Sequence, residues 1–380
     1  MDGLTLGVVA TSGKADERRL PIHPRHLERI EADLRGRIFL ERGYGRQHGF
    51  ADDELAAHVG GLRSRAELFA QCDVVALPKP LHQDVAALRA GQVLWGWPHC
   101  VQDAELTQLA IDRRLTMIAW EAMNHWTPDG AYSLHVFHKN NELAGYCSVL
   151  HALQLRGTSG YYGPRLRAAV ISFGATGRGA IAALLALGVH DISVLTNRRV
   201  AAVGAPMPPA RLVHYDRDDA HPARRPALTP PAGGSLAEFL AGHDVIVNCV
   251  LQDTDDPLTF VTSRDLDRFQ RGSLIVDVSC DEGMGFEWAR PTSFDEPIFV
   301  VGPGVHYYAV DHSPSYLWNS ATWEISEALI PHMRAVMSGP DGWQASDTIR
   351  RAIEIRDGVV QNPRILSFQG REPGYPHRRR

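Results

Sequence analysis

The chain has 380 residues, enough for two domains that each bury a core of their own. Hydrophobic residues make up 44 % of the sequence, charged residues 22 %, and the formal net charge is −5. This composition is typical of a soluble globular protein, and no basic stripe with interleaved aromatic residues indicates a nucleic-acid partner. No apolar run reaches the length of a membrane span, and residues 1–14 lack the pattern of a signal peptide. We therefore expect a cytoplasmic protein with no membrane partner.

The cysteines are scattered along the chain and odd in number, which argues against a disulfide framework. Most of the five lie in apolar strand or helix contexts: Cys72, Cys100, Cys147, Cys249 and Cys280. We interpret them as reduced core residues and predict no metal site.

Strand-like apolar segments alternate with helical segments over the first 120 residues. Strands are predicted at 4–10, 37–41, 74–77, 93–97 and 115–119, and a helix at 24–34. Such alternation favours a parallel sheet flanked by helices. A further helix is predicted over 140–155, because its apolar residues recur at helical spacing.

Residues 168–199 have the pattern of a strand, a glycine-rich turn, a helix and a second strand. The strands are predicted at 168–173 and 191–195, the turn at 174–179 and the helix at 180–187. A dinucleotide-binding fingerprint requires this context, because its glycines let the backbone approach a pyrophosphate at the positive end of the helix dipole. The alternative, a tight turn without a ligand, is disfavoured by the flanking strands. The cofactor-binding candidates in the turn are Ser172, Gly174, Ala175, Thr176 and Gly177, of which Ser172 stands where the first glycine belongs.

The second strand runs into neutral and basic residues where dinucleotide sites normally carry an acid. An acid at this position binds the ribose 2′-hydroxyl of NAD and repels the 2′-phosphate of NADP. Asn197, Arg198 and Arg199 instead offer donors to a phosphate, which favours NADP(H) over NAD(H). The alternative is that the two arginines form a solvated loop pair.

Further strands are predicted downstream at 244–250, 273–278 and 298–301. The first of them ends at Cys249 and Val250, two more candidates for cofactor contact. Segment 204–234 is rich in proline, glycine and basic residues and is predicted as an elaborated loop within the cofactor domain. A long amphipathic helix over 317–337 is predicted to return the chain to the first domain.

Candidate chemical groups follow the strands of the first half. Arg18 and Arg19 lie between a strand and a helix that opens at a proline, which suits a forked clamp on a carboxylate; a surface ion pair is the alternative. Lys79 ends one strand and His99 ends the next, at the sheet edge where parallel sheets bind ligands, so both are candidates for proton transfer. Glu121 follows the next strand, where its carboxylate would either adjust the pKa of Lys79 or cap a helix.

In the cofactor domain, the sequence DVSCDEG at 277–283 ends a strand with acids beside a glycine. An acid there can position water, an ammonium group or the nicotinamide carboxamide, and Asp281 is the candidate. A simple turn acid is the alternative. The segment 305–315 also carries polar and aromatic residues where the chain is expected to cross between domains.

Taken in order, these motifs resemble the alanine dehydrogenase and saccharopine dehydrogenase superfamily, and most closely its N5-(carboxyethyl)ornithine synthase branch. The motifs that carry the resemblance are ERRLPIHP at 17–24, LPKP, WGWPHC, LAGYCSVLHAL at 143–153, the glycine turn, DVSCDEG and HYYAVDHSPS at 306–315. The resemblance implies an α/β fold of two Rossmann-like domains with parallel sheets, the cofactor domain being inserted between the halves of the other. We place the discontinuous substrate domain at 1–145 and 305–380, and the NADP(H)-binding domain at 146–304.

The resemblance also implies roles for individual residues. Arg19, with Arg18 as a second candidate, would hold a substrate carboxylate; Lys79 and His99 would act on the carbonyl or imine; and Asp281 would lie near the nicotinamide. Alanine dehydrogenases carry a different, arginine-containing version of the helix at 140–155, and in this chain Tyr146 occupies that site. His312 stands where an asparagine is usual in the family. Both, with Glu121, are candidates for substrate contact.

The predicted activity is NADPH-dependent reductive condensation of an amino acid amine with a 2-oxo acid such as pyruvate, through an imine. The alternatives are ammonia-dependent amination of a 2-oxo acid or its reverse, reduction of a cyclic imine, and a non-catalytic dinucleotide-binding protein. The resemblance further implies a homodimer or a higher even homo-oligomer.

Overall fold

The computed structural model describes residues 3–10, 12–198, 207–217, 226–229 and 233–380. The chain separates into two compact units, Met1–His138 with Trp318–Arg380 as unit 1 and Lys139–Leu317 as unit 2. These bounds differ from the predicted boundaries at 145 and 305. The reason is that the whole 140–155 helix packs with unit 2, and the strand that begins at Val305 belongs to the sheet of that unit.

The strands are, in chain order, β1 Leu6–Val8, β2 Ile38–Glu41, β3 Gly61–Arg63, β4 Val74–Leu77, β5 Val93–Gly96, β6 Thr116–Ala119, β7 Asn124–Trp126, β8 Tyr132–His135, β9 Arg167–Ile171, β10 Asp191–Thr196, β11 Arg211–Arg217, β12 Pro226–Leu228, β13 Val245–Asn248, β14 Thr259–Val261, β15 Leu274–Asp277, β16 Gly285–Phe286, β17 Ile298–Val301, β18 Val305–Tyr308, β19 Ile353–Arg356 and β20 Val359–Val360.

The α-helices are α1 Ala32–Arg35, α2 Asp52–Ala56, α3 Arg65–Gln71, α4 His82–Ala87, α5 Ala104–Asp112, α6 His138–Leu155, α7 Ala175–Ala186, α8 Leu236–Ala241, α9 Trp318–Leu329, α10 Met333–Met337, α11 Pro340–Ala345, α12 Asp347–Ala352 and α13 Pro363–Phe368. Short 3-10 helices cover Pro24–Arg29, Arg46–His48, Trp120–Ala122, Ser263–Arg268, Ser313–Leu317 and Ile330–His332.

The sheet of unit 1 has the strand order β20-β19-β6-β5-β4-β1-β2-β3. From β6 to β3 every pair is parallel, and β19 and β20 add an antiparallel edge. The central strand β4 is fully buried, as expected of a parallel strand covered on both faces.

The sheet of unit 2 has the order β12-β11-β10-β9-β13-β15-β18-β17. The pairs from β11 to β18 are parallel, and β12 and β17 pair antiparallel at the two edges. Two large, mainly parallel sheets confirm the predicted fold class of an α/β protein with two Rossmann-like domains.

Several predicted elements need correction. The predicted loop over 204–234 is wrong in its described part, where β11 extends the parallel sheet and β12 pairs with it. The 24–34 helix is a 3-10 helix followed by the single turn α1. The 317–337 helix is broken at Ile330–His332, because Pro331 removes a backbone donor from the helix interior.

No disulfide joins the five cysteines, and Cys72, Cys100, Cys147 and Cys249 are buried, whereas Cys280 is half-buried. None of the helices in the described ranges combines the length and the apolar character needed to cross a membrane.

Candidate functional site

Three polar side chains follow three adjacent parallel strands of unit 1. Lys79 follows β4, His99 follows β5 and Glu121 follows β6, and these strands pair in that order. A Cβ on Gly96 would lie 2.0 Å from the carbonyl oxygen of Leu77, so β5 can approach β4 closely only with glycine at this position. The strand-end cluster Lys79, His99 and Glu121 is therefore built by the sheet itself.

Direct contacts join the three side chains. Lys79 Nζ lies 2.6 Å from His99 Nε2. The backbone N–H of His99 donates to Glu121 Oε1 at 2.7 Å, and His99 Nδ1 lies 3.7 Å from the same oxygen. His99 has φ of +49°, a left-handed conformation that is uncommon for a residue with a side chain and that occurs preferentially at functional sites.

This geometry relates the protonation of the three groups. An ammonium group on Lys79 donates to His99 Nε2, which leaves the imidazole proton on Nδ1, facing Glu121 Oε1. Burial and the neighbouring charge of Glu354 raise the pKa of Glu121. Glu121 therefore keeps its proton to a higher pH than an exposed glutamate does, next to the backbone N–H of His99.

Arg19 is held in a buried ion pair. Its Nε donates to Glu17 Oε1 at 2.8 Å and its Nη2 to Glu17 Oε2 at 2.5 Å, and its guanidinium lies 4.9 Å from the ring centre of Trp97. Arg18 is exposed, 4.0 Å from Asp16. The two arginines therefore do not act as one clamp, and the surface ion pair considered from the sequence applies to Arg18 alone.

The glycine turn of unit 2 joins β9 to α7, and the helix begins at Ala175, earlier than predicted. A Cβ on Gly177 would lie 2.3 Å from the carbonyl oxygen of Ser172, so only glycine fits. Around Gly174 the space is open, the nearest group to an added Cβ being Ser172 Oγ at 3.7 Å. An open cradle at the start of a twelve-residue helix, in which Thr176 occupies the first turn, fits a pyrophosphate.

Ser172 adopts a glycine-like conformation with φ of +90°. Its Oγ accepts a long hydrogen bond from the N–H of Gly174 at 3.4 Å. The turn therefore keeps the geometry of the fingerprint, and the serine occupies it with backbone strain.

Two further glycines hold α6 against α7. A Cβ on Gly145 would lie 1.9 Å from the carbonyl oxygen of Thr176, and one on Gly179 would lie 1.8 Å from that of Glu142. Close packing of the two helices thus explains the glycine in the sequence AGY at 144–146 of α6. Tyr146, the next residue, is half-buried beside the core of unit 2.

A pocket of about 310 Å³ lies beyond the end of β10. Asn197 and Val250, both predicted cofactor contacts, line it together with Asp216, Asp253 and Asp256. This is the position at which a dinucleotide site receives the adenosine ribose.

The other predicted contacts at this end are placed as follows. Arg198 is exposed, and its N–H donates to Thr196 Oγ1 at 3.1 Å. Arg199 lies outside the described residues. Cys249 is buried after β13, and burial raises the pKa of its thiol well above the usual value.

The DVSCDEG motif contains two acids with different surroundings. Asp277 is fully buried and accepts hydrogen bonds from Tyr307 Oη at 2.5 Å, Asn248 Nδ2 at 2.9 Å and the N–H of Cys280 at 3.1 Å. Burial raises the pKa of Asp281 to about 6. The hydrogen bonds of Asp277 stabilise the loop, and burial raises the pKa of Asp277 to about 6 as well.

His312 is buried, with Nδ1 2.7 Å from Asp311 Oδ1 and its ring perpendicular to Phe294. The sequence analysis did not single out two buried polar residues, Asn248, which donates to Asp277 and accepts from the N–H of Val250, and Glu354, whose charge acts on Glu121. Asn248 could have been noticed as an amide at the end of an apolar strand. Glu354 lies in the C-terminal segment, where no motif marks it.

Unit 1 also contains a pocket of about 440 Å³ that the sequence analysis missed. His23, His48, Trp318 and Trp323 line it, and the pKa of His48 is lowered to about 4 by burial. None of the predicted site residues lines this pocket.

The comparison with known proteins agrees with this architecture. Residues 8–144 match the family Alanine dehydrogenase/PNT, N-terminal domain, and residues 165–363 match Alanine dehydrogenase/PNT, C-terminal domain. An alanine dehydrogenase from Halomonas elongata is 26 % identical over 88 % of this chain and 89 % of its own length. An N(5)-(carboxyethyl)ornithine synthase from Clostridium botulinum is 24 % identical over 84 % of this chain and 90 % of its own.

Solved structures share the fold at lower identity. An L-alanine dehydrogenase superposes with a TM-score of 0.76 at 20 % identity, covering 96 % of this chain and 99 % of the other. The transhydrogenase from Sinorhizobium meliloti gives 0.69 at 20 % identity, covering 94 % and 99 %. The chain belongs to the alanine dehydrogenase/PNT family and is an NAD(P)-dependent oxidoreductase that acts on CH–NH2 or CH–NH donors.

Proposed function

We propose that this protein catalyses the NADPH-dependent reductive condensation of an amino acid amine with a 2-oxo acid such as pyruvate. The observation that carries the proposal is the contact of 2.6 Å between Lys79 Nζ and His99 Nε2. Glu121 accepts a hydrogen bond from the backbone N–H of this histidine. Condensation of an amine with a ketone passes through a carbinolamine that must lose water. Water leaves only if its oxygen receives a proton, so a poised proton donor is the main requirement.

Lys79 and His99 supply that proton. The ammonium group of Lys79 donates to the carbinolamine hydroxyl, and His99 keeps the amine of Lys79 oriented through Nε2. The buried Arg19 binds the carboxylate of the 2-oxo acid. Glu17 accepts hydrogen bonds from Nε and Nη2 of Arg19, which fixes the plane of the guanidinium.

The glycine turn binds the pyrophosphate of the cofactor, and the nicotinamide, when bound, supplies the hydride. Asp281 positions the nicotinamide side of the site, with Tyr146 and His312 as substrate contacts. We propose a preference for NADP(H), because Arg198 follows β10 and no acid directly follows the strand. The acids of the neighbouring pocket, Asp216, Asp253 and Asp256, act against this preference, so the ratio of kcat/KM for NADPH and NADH tests it directly.

The activity is tested by mixing the protein with NADPH, pyruvate and a panel of amino acids that includes ornithine, lysine and arginine. We expect loss of NADPH absorbance only when an amino acid is present. The control variant Lys79→Ala should bind NADPH and turn over about 1,000-fold more slowly. An absence of amine-dependent oxidation across a broad panel would contradict the proposal.

Amination of a 2-oxo acid by ammonium is the second candidate, because the relative from Halomonas elongata carries the name alanine dehydrogenase. The same assay separates the two, since ammonium alone would then support oxidation with pyruvate. For both candidates we propose that the discontinuous unit 1 is the substrate domain and unit 2 the NADP(H)-binding domain. We also propose an even homo-oligomer, which sedimentation analysis would test.

A further inference from the structure

The C-terminal segment contacts the loop 99–103, which carries His99. The buried side chain of Gln369 reaches this loop, and its Nε2 donates to the carbonyl oxygen of Cys100 at 2.7 Å and to that of Val101 at 3.1 Å. Both acceptors directly follow His99 in the chain. One amide group thus holds two consecutive carbonyl groups of the loop with its two N–H donors.

Arg371 fixes the orientation of Gln369. Its Nε donates to Gln369 Oε1 at 2.6 Å, its Nη1 to Gln108 Oε1 at 2.7 Å and to the carbonyl oxygen of His377 at 3.2 Å, and its Nη2 to that of Ala104 at 3.0 Å. Arg371 is buried, and all four of these oxygens belong to neutral groups. Because a buried cation needs its hydrogen bonds, this network keeps the amide oxygen on the guanidinium and the amide donors on the loop.

His377 attaches the same segment to the sheet of unit 1. It is buried, and its Nε2 accepts from the N–H of Val360, in the edge strand β20, at 3.0 Å. Its Nδ1 donates to the carbonyl oxygen of Glu372 at 3.0 Å. The C-terminal segment is therefore fixed to the sheet at one point and holds the loop after β5 at another.

The loop needs this support because His99 has a left-handed backbone conformation, with φ of +49°. Such a conformation is strained for a residue with a side chain and persists only where neighbouring contacts hold it. The N–H of His99 donates to Glu121 Oε1, and its carbonyl oxygen accepts from the N–H groups of Gln102 at 3.1 Å and Asp103 at 3.0 Å. Gln369 holds the carbonyl groups of the two residues that lie between His99 and Gln102.

We propose that Gln369 is a positioning residue for His99, which it keeps in the conformation that brings the imidazole to Lys79 Nζ. Without the two hydrogen bonds from Gln369, the carbonyl groups after His99 turn, and His99 relaxes toward a negative φ. The imidazole then leaves the contact of 2.6 Å with Lys79. The effect on the loop stands by itself, and its catalytic consequence rests on the proposed function.

The effect on the loop is tested without substrate, by amide hydrogen exchange of the full chain with detection by mass spectrometry. The variant Gln369→Glu keeps an acceptor for Arg371 Nε but has no donor for the loop. Peptides that cover 99–103 should exchange about 10-fold faster than in the wild type, as the loss of hydrogen bonds of ordinary net strength implies. Gln369→Ala, the second variant, should give the same local increase.

The matched control is Gln361→Glu, the same change at an exposed glutamine of the C-terminal segment, and it should leave exchange of the loop unchanged. Peptides from the buried strand β4 should exchange as in the wild type in all three variants. Unchanged exchange of the loop in Gln369→Glu and Gln369→Ala would overturn the proposal. An equal acceleration in β4 would also overturn it, because it would show a general loss of stability.

The catalytic consequence is tested by a double-mutant cycle, with whichever substrate pair is active. Gln369→Glu should lower kcat about 10-fold and leave the Kd for NADPH unchanged. In a His99→Ala background the same substitution should have little further effect, because Gln369 acts through His99. An equal loss of kcat in both backgrounds would overturn the positioning role. The exchange data need no substrate, so a failure of the proposed condensation reaction would be seen separately.

Discussion

The strand-end cluster of unit 1 and the glycine turn of unit 2 both lie at the carboxyl ends of parallel strands, but they are built in opposite ways. The cluster depends on side chains that hold protons, Lys79, His99 and Glu121. The turn depends on side chains that are absent, because a Cβ on Gly177 would meet backbone. Substitutions should therefore damage chemistry in the first region without unfolding it, and damage structure in the second.

The largest effect is expected for Lys79→Ala. Removing a general acid costs about 1,000-fold in kcat, whereas truncating a half-buried side chain at a strand end should leave the melting temperature nearly unchanged. Steady-state kinetics and thermal unfolding measure the two quantities on the same sample. A large loss of stability with little loss of rate would show that Lys79 has a structural role, contrary to the proposed difference between the two regions.

The matched substitution in the turn is Gly177→Ala. Its methyl group would lie against the carbonyl oxygen of Ser172, and such overpacking destabilises by roughly 3 kcal/mol. Gly174→Ala is the control, since the space there is open and its φ of −79° suits alanine. Urea unfolding of both variants tests the difference. Equal stability of the two would show that close backbone approach does not shape the turn.

A smaller effect is expected for Arg198→Ala. Loss of one charge-assisted hydrogen bond to a phosphate should weaken NADPH binding roughly 10-fold. NADH has no 2′-phosphate, so its binding should be unchanged. Fluorescence titration with both cofactors measures the ratio. An equal loss of affinity for NADPH and NADH would show that Arg198 does not determine the preference for NADP(H).

The smallest effect is expected for Ser172→Gly, and it is a gain. Glycine relieves the left-handed strain at φ of +90°, and after the entropic cost of glycine the net stabilisation should be about 1 kcal/mol. Thermal unfolding checks the sign. A loss of stability would mean that the hydrogen bond of Ser172 Oγ to Gly174 outweighs the strain.

Much of both regions could be predicted from the sequence, because it depends on local pattern. The apolar runs before Lys79, His99 and Glu121 indicated adjacent strands, and the carboxyl ends of parallel strands meet at one edge. The roles of these residues and of the cofactor contacts remain predictions. The fold class is confirmed by the two sheets.

What could not be predicted depends on contacts between distant segments. The strand β6, which leads into Glu121, pairs with β19 from the far end of the chain, and no spacing rule connects the two strands. The segment 204–234 is rich in proline, glycine and basic residues, and this composition led to the prediction of a loop. The segment contains β11, a strand that pairs in parallel with β10. The left-handed conformation of Ser172 is likewise set by the turn around it, since serine itself disfavours it.

The most direct test of the proposed reaction uses NADPH with deuterium at the transferable position, together with pyruvate and an amino acid that supports oxidation. We expect a secondary amine whose mass is that of the condensed product, with one deuterium on the carbon that was the pyruvate carbonyl. Deuterated alanine formed from ammonium, with no condensed product for any amino acid, would contradict it.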